Sequence, residues 1–64
     1  MNAGDLAYLI TGRDRAGRPL VAADEDDEAV VFYVESTDGQ EAVIRYPGDE
    51  VELTVPVADL LPAA

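Results

Sequence analysis

Hydrophobic and polar residues alternate most regularly between Glu50 and Val57, where Val51, Leu53, Val55 and Val57 are interleaved with Glu50, Glu52, Thr54 and Pro56. A period of two gives a strand one apolar face and one wet face. Pro56 has no N–H to offer a ladder, which places this end of the strand at a sheet edge or beyond pairing. Upstream, Ala29 to Ser36 is dense in Val and aromatic residues, the composition of a strand. Asp38-Gly39 then marks a hairpin and Pro47-Gly48 a second turn. The stretch from Ala29 to Val57 therefore reads as an antiparallel meander of three strands.

Two-residue loops at these turns fix an expected register. The first places Val34 opposite Val43 and Tyr33 opposite Ile44; the second places Ile44 opposite Val51 and Ala42 opposite Leu53. Val31, Tyr33, Ala42, Ile44, Tyr46, Val51, Leu53 and Val55 then share the core face, and Arg45, Glu50, Glu52 and Thr54 the other. Val30, Phe32, Val34 and Val43 fall on that outer face as an apolar strip. A strip of this kind is either covered by the chain itself, through Leu6, Tyr8 and Ile10 or through Leu60 and Leu61, or it is an interface.

The meander is preceded by a first strand over Asp5–Thr11, in which Leu6, Tyr8 and Ile10 alternate with Ala7 and Leu9. Thr11 to Pro19, with two glycines, a proline and three arginines, is predicted to be a mobile cationic loop. Leu20 to Ala23 forms a short strand, and the carboxylates of Asp24 to Glu28 a solvated loop. Ala58 to Leu61 has room for one helical turn before Pro62 ends it, with Leu60 placed to tuck under the sheet.

The chain has 64 residues, so residues 1–64 are expected to form a single domain with a small core. Its net charge of −10 argues against direct nucleic-acid binding or an anionic membrane surface, both of which need Lys and Arg. There is no cysteine and no histidine, which removes disulfides, thiolate sites and the commonest metal ligand and general base. No stretch reads as a signal peptide or membrane span, so a soluble cytoplasmic protein is expected.

Gly4-Asp5-Leu6 entering a first strand, Gly12 and Gly17 in the following loop, Val21, a meander and a terminal turn give an order that resembles the SH3-like small β-barrels of the KOW and Tudor type. The resemblance implies an all-β, five-stranded barrel with a central three-stranded antiparallel meander and a short C-terminal helical turn. KOW-type modules bind RNA or the transcription and translation machinery through basic surfaces; this chain departs from them in being acidic. Tudor-type modules hold methylated side chains in an aromatic cage. Tyr8, Tyr33 and Tyr46 would be the residues for one, but Tyr33 and Tyr46 fall on the expected core face, where packed aromatics with wetted hydroxyls are the simpler reading.

Candidate chemistry is sparse. The acidic run lacks the spacing of a calcium loop, because Ala29 stands where such a loop needs glycine, so no metal or cofactor is expected. No Ser, Cys or Lys stands in a nucleophile motif, and no enzymatic activity is expected. Arg13, Arg15 and Arg18 are the only basic cluster, suited by their fork-like donors to an acidic partner or phosphate. The expected function is a non-enzymatic protein-interaction module, its candidate interface formed by Arg13, Arg15, Arg18, Val30, Phe32, Val34 and Val43. Its partner is another protein with a basic surface, or a second copy in a homodimer. The alternatives are an acidic mimic of DNA that blocks a nucleic-acid-binding protein, and a KOW-like accessory of the transcription or translation machinery.

Overall fold

The computed structural model describes residues 1–63 and is all-β apart from one 3-10 turn. Strand β1 (Leu6–Arg13) is followed by β2 (Pro19–Val21), β3 (Phe32–Thr37), β4 (Glu41–Arg45) and β5 (Glu52–Pro56). The 3-10 turn (Val57–Asp59) then leads into β6 (Leu60–Pro62). All pairings are antiparallel, in the order β2-β1-β3-β4-β5, with β6 also on β1. The long β1 is shared: Leu6 and Ala7 pair with β3, Ala7 to Leu9 with β6, and Ile10 to Arg13 with β2. The sheet thereby curls into a half-barrel compatible with an SH3-like fold, and β5 remains an edge strand, as Pro56 implies.

Both turns of the meander differ from two-residue loops at the expected places. At the first, the Asp38 N–H donates to the Glu41 carbonyl (3.2 Å), so the central pair is Gly39-Gln40. Gly39 has φ 94°, the conformation that a primed turn needs at its first central position. At the second, the Asp49 N–H donates to the Tyr46 carbonyl (2.9 Å) with Gly48 at φ 90°, which is a type II turn. Its twist does not suit continuing strands, and the β4–β5 ladder closes only at Arg45↔Glu52. Ile44 therefore lies opposite Leu53 rather than Val51. A slip of two residues leaves the faces unchanged, so Ala42, Ile44, Leu53 and Val55 keep their expected side.

Strand β3 does not. A β-bulge between Val34 and Ser36 places Val34 opposite Ile44 and Tyr33 opposite Arg45. This single-residue irregularity reverses the faces of the strand below it. Val34 and Phe32 point to the core, and Tyr33 points outward beside Arg45. The core consists of Ala7, Val34, Ala42, Ile44 and Leu60, with Leu9, Phe32, Val55 and Val57 packed against it. Ile44 and Val34 are the largest side chains fully removed from solvent. The apolar strip expected on the outer face is thus not present as a strip: Val34 is 0% exposed, and Leu60 and Ala7 cover it from the other strands. In β1 the inward positions are Ala7 and Leu9, so Leu6, Tyr8 and Ile10 are not what covers the core. The C-terminal turn starts at Val57, earlier than Ala58, and Leu60 to Pro62 are strand instead of helix. Leu60 does tuck under the sheet, at 6% exposure.

Two five-residue turns, Asp14–Arg18 and Asp24–Glu28, close the remaining loops. In each, the first N–H donates to the fifth carbonyl (2.9 Å in both) and the fourth N–H donates back to the first carbonyl (3.0 Å in both). The segment from Thr11 to Pro19 is accordingly not one long loop, since β1 runs on to Arg13 and β2 begins at Pro19.

Candidate functional site

The seven expected interface residues do not converge. Arg13 donates through Nη1 to the Gly17 carbonyl (2.9 Å), and Arg18 Nε donates to Asp14 Oδ2 (2.9 Å), so two of the loop arginines are engaged within their own turn. Arg15 is exposed at the same tip. Val30 is half-buried and gives its N–H to the Ala22 carbonyl (2.8 Å). Val34 is core and Phe32 is half-buried against the core, so both leave the outer surface. Val43 alone of the four remains on the outer face, lining a shallow depression of about 290 Å³ with Ser36, Thr37, Asp38, Glu41 and Thr54.

The outer face is organised around Arg45. Its guanidinium bonds the Glu35 carboxylate at the bulge, lies 5.7 Å from the centroid of the Tyr33 ring, and donates through Nη1 to the Asp49 carbonyl (3.3 Å). The bond to Glu35, with the nearby Glu35 and Glu52 charges, raises the pKa of Arg45, so it stays charged at any pH of interest. Tyr8 faces the same way, opposite Leu61, whereas Tyr46 lies on the core face against Phe32, with ring centroids 6.3 Å apart in an edge-to-face pair. The three tyrosines therefore build no common cage.

The concave face is where apolar surface stays uncovered. Exposure rises along the row Val34, Ile44, Leu53, from 0% at the first two to 46% at Leu53. Toward the Pro47-Gly48 turn, Phe32 is half-buried against Tyr46, which is 50% exposed, and Val51, outside the β4–β5 ladder, is 64% exposed. The cause is the topology: Ala7 and Leu60 complete the buried cluster at the middle of the face, and among the described residues no strand pairs with the far edge of β5. The expected alternation identified Tyr46, Val51 and Leu53 as core; for Tyr46 and Leu53 it encodes their side and not their depth, and Val51 lies beyond the ladder.

Asp24, the first residue of the acidic run, turns Oδ1 to the N–H groups of Asp26 (2.9 Å) and Glu28 (3.1 Å). Among the described residues no three acidic side chains converge closely enough to hold a cation. No helix among them is long and apolar enough to cross a membrane. Asp38 accepts the N–H groups of Gln40 and Glu41 (both 2.8 Å), and these bonds hold its carboxyl below the ordinary value of 3.8. Comparison of the chain with protein-family models, with curated proteins and with solved structures found no match.

Proposed function

We propose that the chain is a non-enzymatic protein-interaction module on an SH3-like small barrel of the KOW or Tudor type, acting in the cytoplasm on a protein partner with a basic surface. The observation that carries this reading is the exposure of large apolar side chains around the β4–β5 turn of a strongly charged molecule: Tyr46 (50%), Val51 (64%) and Leu53 (46%). Contiguous apolar surface on a small monomer marks an interaction site more often than chance exposure does. The net charge of −10 supplies long-range attraction to a cationic partner and keeps copies of the chain apart.

Affinity capture on the folded protein, followed by reconstitution of the recovered partner from purified components, tests the reading. A stoichiometric complex that persists above about 0.5 M salt, where surface charges are screened, is expected of a module with an apolar contact. Recovery of nucleases or polymerases released entirely by that salt would replace it with mimicry of DNA. Recovery of ribosomal or transcription factors through the same salt-resistant contact would refine it to an accessory of those machines.

A further inference from the structure

Resting on that reading, we propose that the open edge of β5 takes up an extended segment of the basic partner as an added antiparallel strand, in which Lys or Arg alternates with aliphatic residues. The bonds of the β4–β5 ladder identify the backbone groups that are free for it. The Val57 N–H donates to the Gln40 carbonyl (2.9 Å), and backbone direction alternates along an antiparallel pair. Val57, Val55 and Leu53 therefore turn their N–H and carbonyl groups toward β4, and Thr54 and Glu52 turn theirs away from it. Among the described residues no strand pairs with that side. Pro56 shares the outward direction but has no N–H, and beyond it the chain leaves for the 3-10 turn and the pairing of β6 with β1. Glu52 and Thr54, both exposed, thus offer two N–H donors and two carbonyl acceptors in the spacing of a strand ladder.

The side chains select the occupant. Glu52 lies on the outer face opposite Arg45, but the Arg45 guanidinium is bonded to Glu35, and Glu52 has no ion pair among the described residues. Leu53 lies on the concave side opposite Ile44 and is exposed. A ligand resting on either face meets one of these residues. A strand lying beside β5 meets both, because its successive side chains alternate between the faces. Directly opposite residues share a face, so a cation is favoured at the position facing Glu52 and an aliphatic residue at the position facing Leu53. A second copy of β5 suits this edge less well. Centred on Leu53, it would satisfy the backbone groups of Glu52 and Thr54, yet it would bring two Glu52 carboxylates and two net charges of −10 together. A carboxylate and a proline on a short edge strand hold off like chains, and the same carboxylate attracts a cationic one.

The test is a titration of the isotope-labelled protein with acetyl-Lys-Val-Lys-Val-Lys-amide and with two isomers of it, one N-methylated at the central Lys and the other at the Val before it. In the proposed register the Lys N–H groups point to β5 and the Val N–H groups to solvent, and any in-phase pairing with both Glu52 and Thr54 uses the central Lys. The parent peptide is expected to shift the amides of Glu52 and Thr54 and to protect them from exchange, which is fast without it. The Val isomer should bind within about twofold of the parent, and the Lys isomer, which loses a ladder bond and sets a methyl group against the edge, about tenfold more weakly. Thr54→Pro removes an edge N–H without touching the β4–β5 bonds, and is expected to weaken the parent peptide by about tenfold as well. Should that variant fail to fold, the two isomers on the unmodified protein still decide. Glu52→Gln should cost about threefold in affinity, the effect of one exposed charge pair. Equal affinities for the two isomers overturn strand addition and leave the interaction-module reading standing. Protection of Thr54 that rises with protein concentration in the absence of peptide assigns the edge to a second copy and overturns the proposal. Absence of binding by the parent peptide at low salt also overturns it, while the module reading then falls only if no reconstituted complex forms.

Discussion

Asp14-Arg-Ala-Gly-Arg18 and Asp24-Glu-Asp-Asp-Glu28 occupy the tips of two successive loops and fold into the same turn. In both, the leading aspartate does what a backbone carbonyl would otherwise do. Asp14 Oδ1 accepts the N–H groups of Ala16 and Arg18 (2.9 Å each), and Asp24 Oδ1 those of Asp26 and Glu28 (2.9 and 3.1 Å). In both, the fourth residue is left-handed, Gly17 at φ 81° and Asp27 at φ 62°. The chemistry around this shared frame is opposite. The first turn adds an ion pair from Arg18 and a bond from Arg13 to the Gly17 carbonyl. The second places five carboxylates in a row and a non-glycine residue at the left-handed position. The geometry thus follows from one aspartate and one positive φ, and the flanking charges change how stable the turn is without changing its form.

Removing the leading aspartate should give the largest effect and should separate the turns. Asp14→Ala orphans two backbone N–H groups and the Arg18 ion pair, for a loss of about 2 kcal/mol, discounted for exposure. Asp24→Ala orphans two N–H groups as well but takes one charge out of a run of five, so the loss at low salt is nearer ~1 kcal/mol. Urea unfolding at two salt concentrations checks this: the two losses should converge as salt screens the acidic turn. A larger loss for Asp24→Ala at low salt would mean that its repulsion is negligible.

The left-handed positions should respond with opposite signs. Nothing lies within 4 Å of a Cβ added at Gly17, so Gly17→Ala reports the backbone cost alone, about 1 kcal/mol of lost stability. Asp27→Gly relieves the same strain and one like charge, with the greater freedom of glycine in the unfolded chain offsetting part of it. A net gain of about 0.5 kcal/mol is expected. Thermal midpoints that move the same way in both variants would show that φ at the fourth residue does not govern either turn.

These turns also show which parts of the molecule the sequence carries. Each turn is local: an aspartate and a residue tolerant of positive φ within five positions suffice, though composition alone suggested only a mobile loop and a solvated run. The alternation leading into β5 was equally readable, because Val51 and Leu53 have polar neighbours on both sides and Val55 stands between Thr54 and Pro56. Strand β3 was not. Val30, Val31, Phe32, Tyr33 and Val34 are apolar at both parities, so period two cannot choose a face, and the choice falls to the bulge at Glu35. That bulge puts Val34 and Phe32 on the side that Leu60 covers, and brings Glu35 to Arg45. The candidate site depended on the same choice. The expected strip moved inward, and the uncovered apolar surface appeared at Tyr46, Val51 and Leu53, where the alternation is sound but no strand arrives to roof it.

A third aspartate, Asp38, extends the comparison to pH and carries the smallest expected effect. Its Oδ1 accepts two backbone N–H groups, as in the other turns, and its carboxyl is held below 3.8. A folded-state pKa below the unfolded one means that the unfolded chain takes up the proton first. The contribution is therefore complete above the unfolded value and is lost as the pH falls through the folded one. The net charge of −10 acts separately, through a self-repulsion that added salt screens. Stability should accordingly gain from added salt at about pH 7.5 and fall below about pH 4. Asp38→Asn keeps an oxygen acceptor for the Gln40 and Glu41 N–H groups but cannot titrate, so its unfolding midpoint should fall less steeply over the acid limb than that of the parent. Identical slopes for the two proteins below pH 4 would remove Asp38 from the acid response, and a midpoint that drops on adding salt at about pH 7.5 would show that specific ion pairs such as Arg18–Asp14 outweigh the repulsion of the acidic turn.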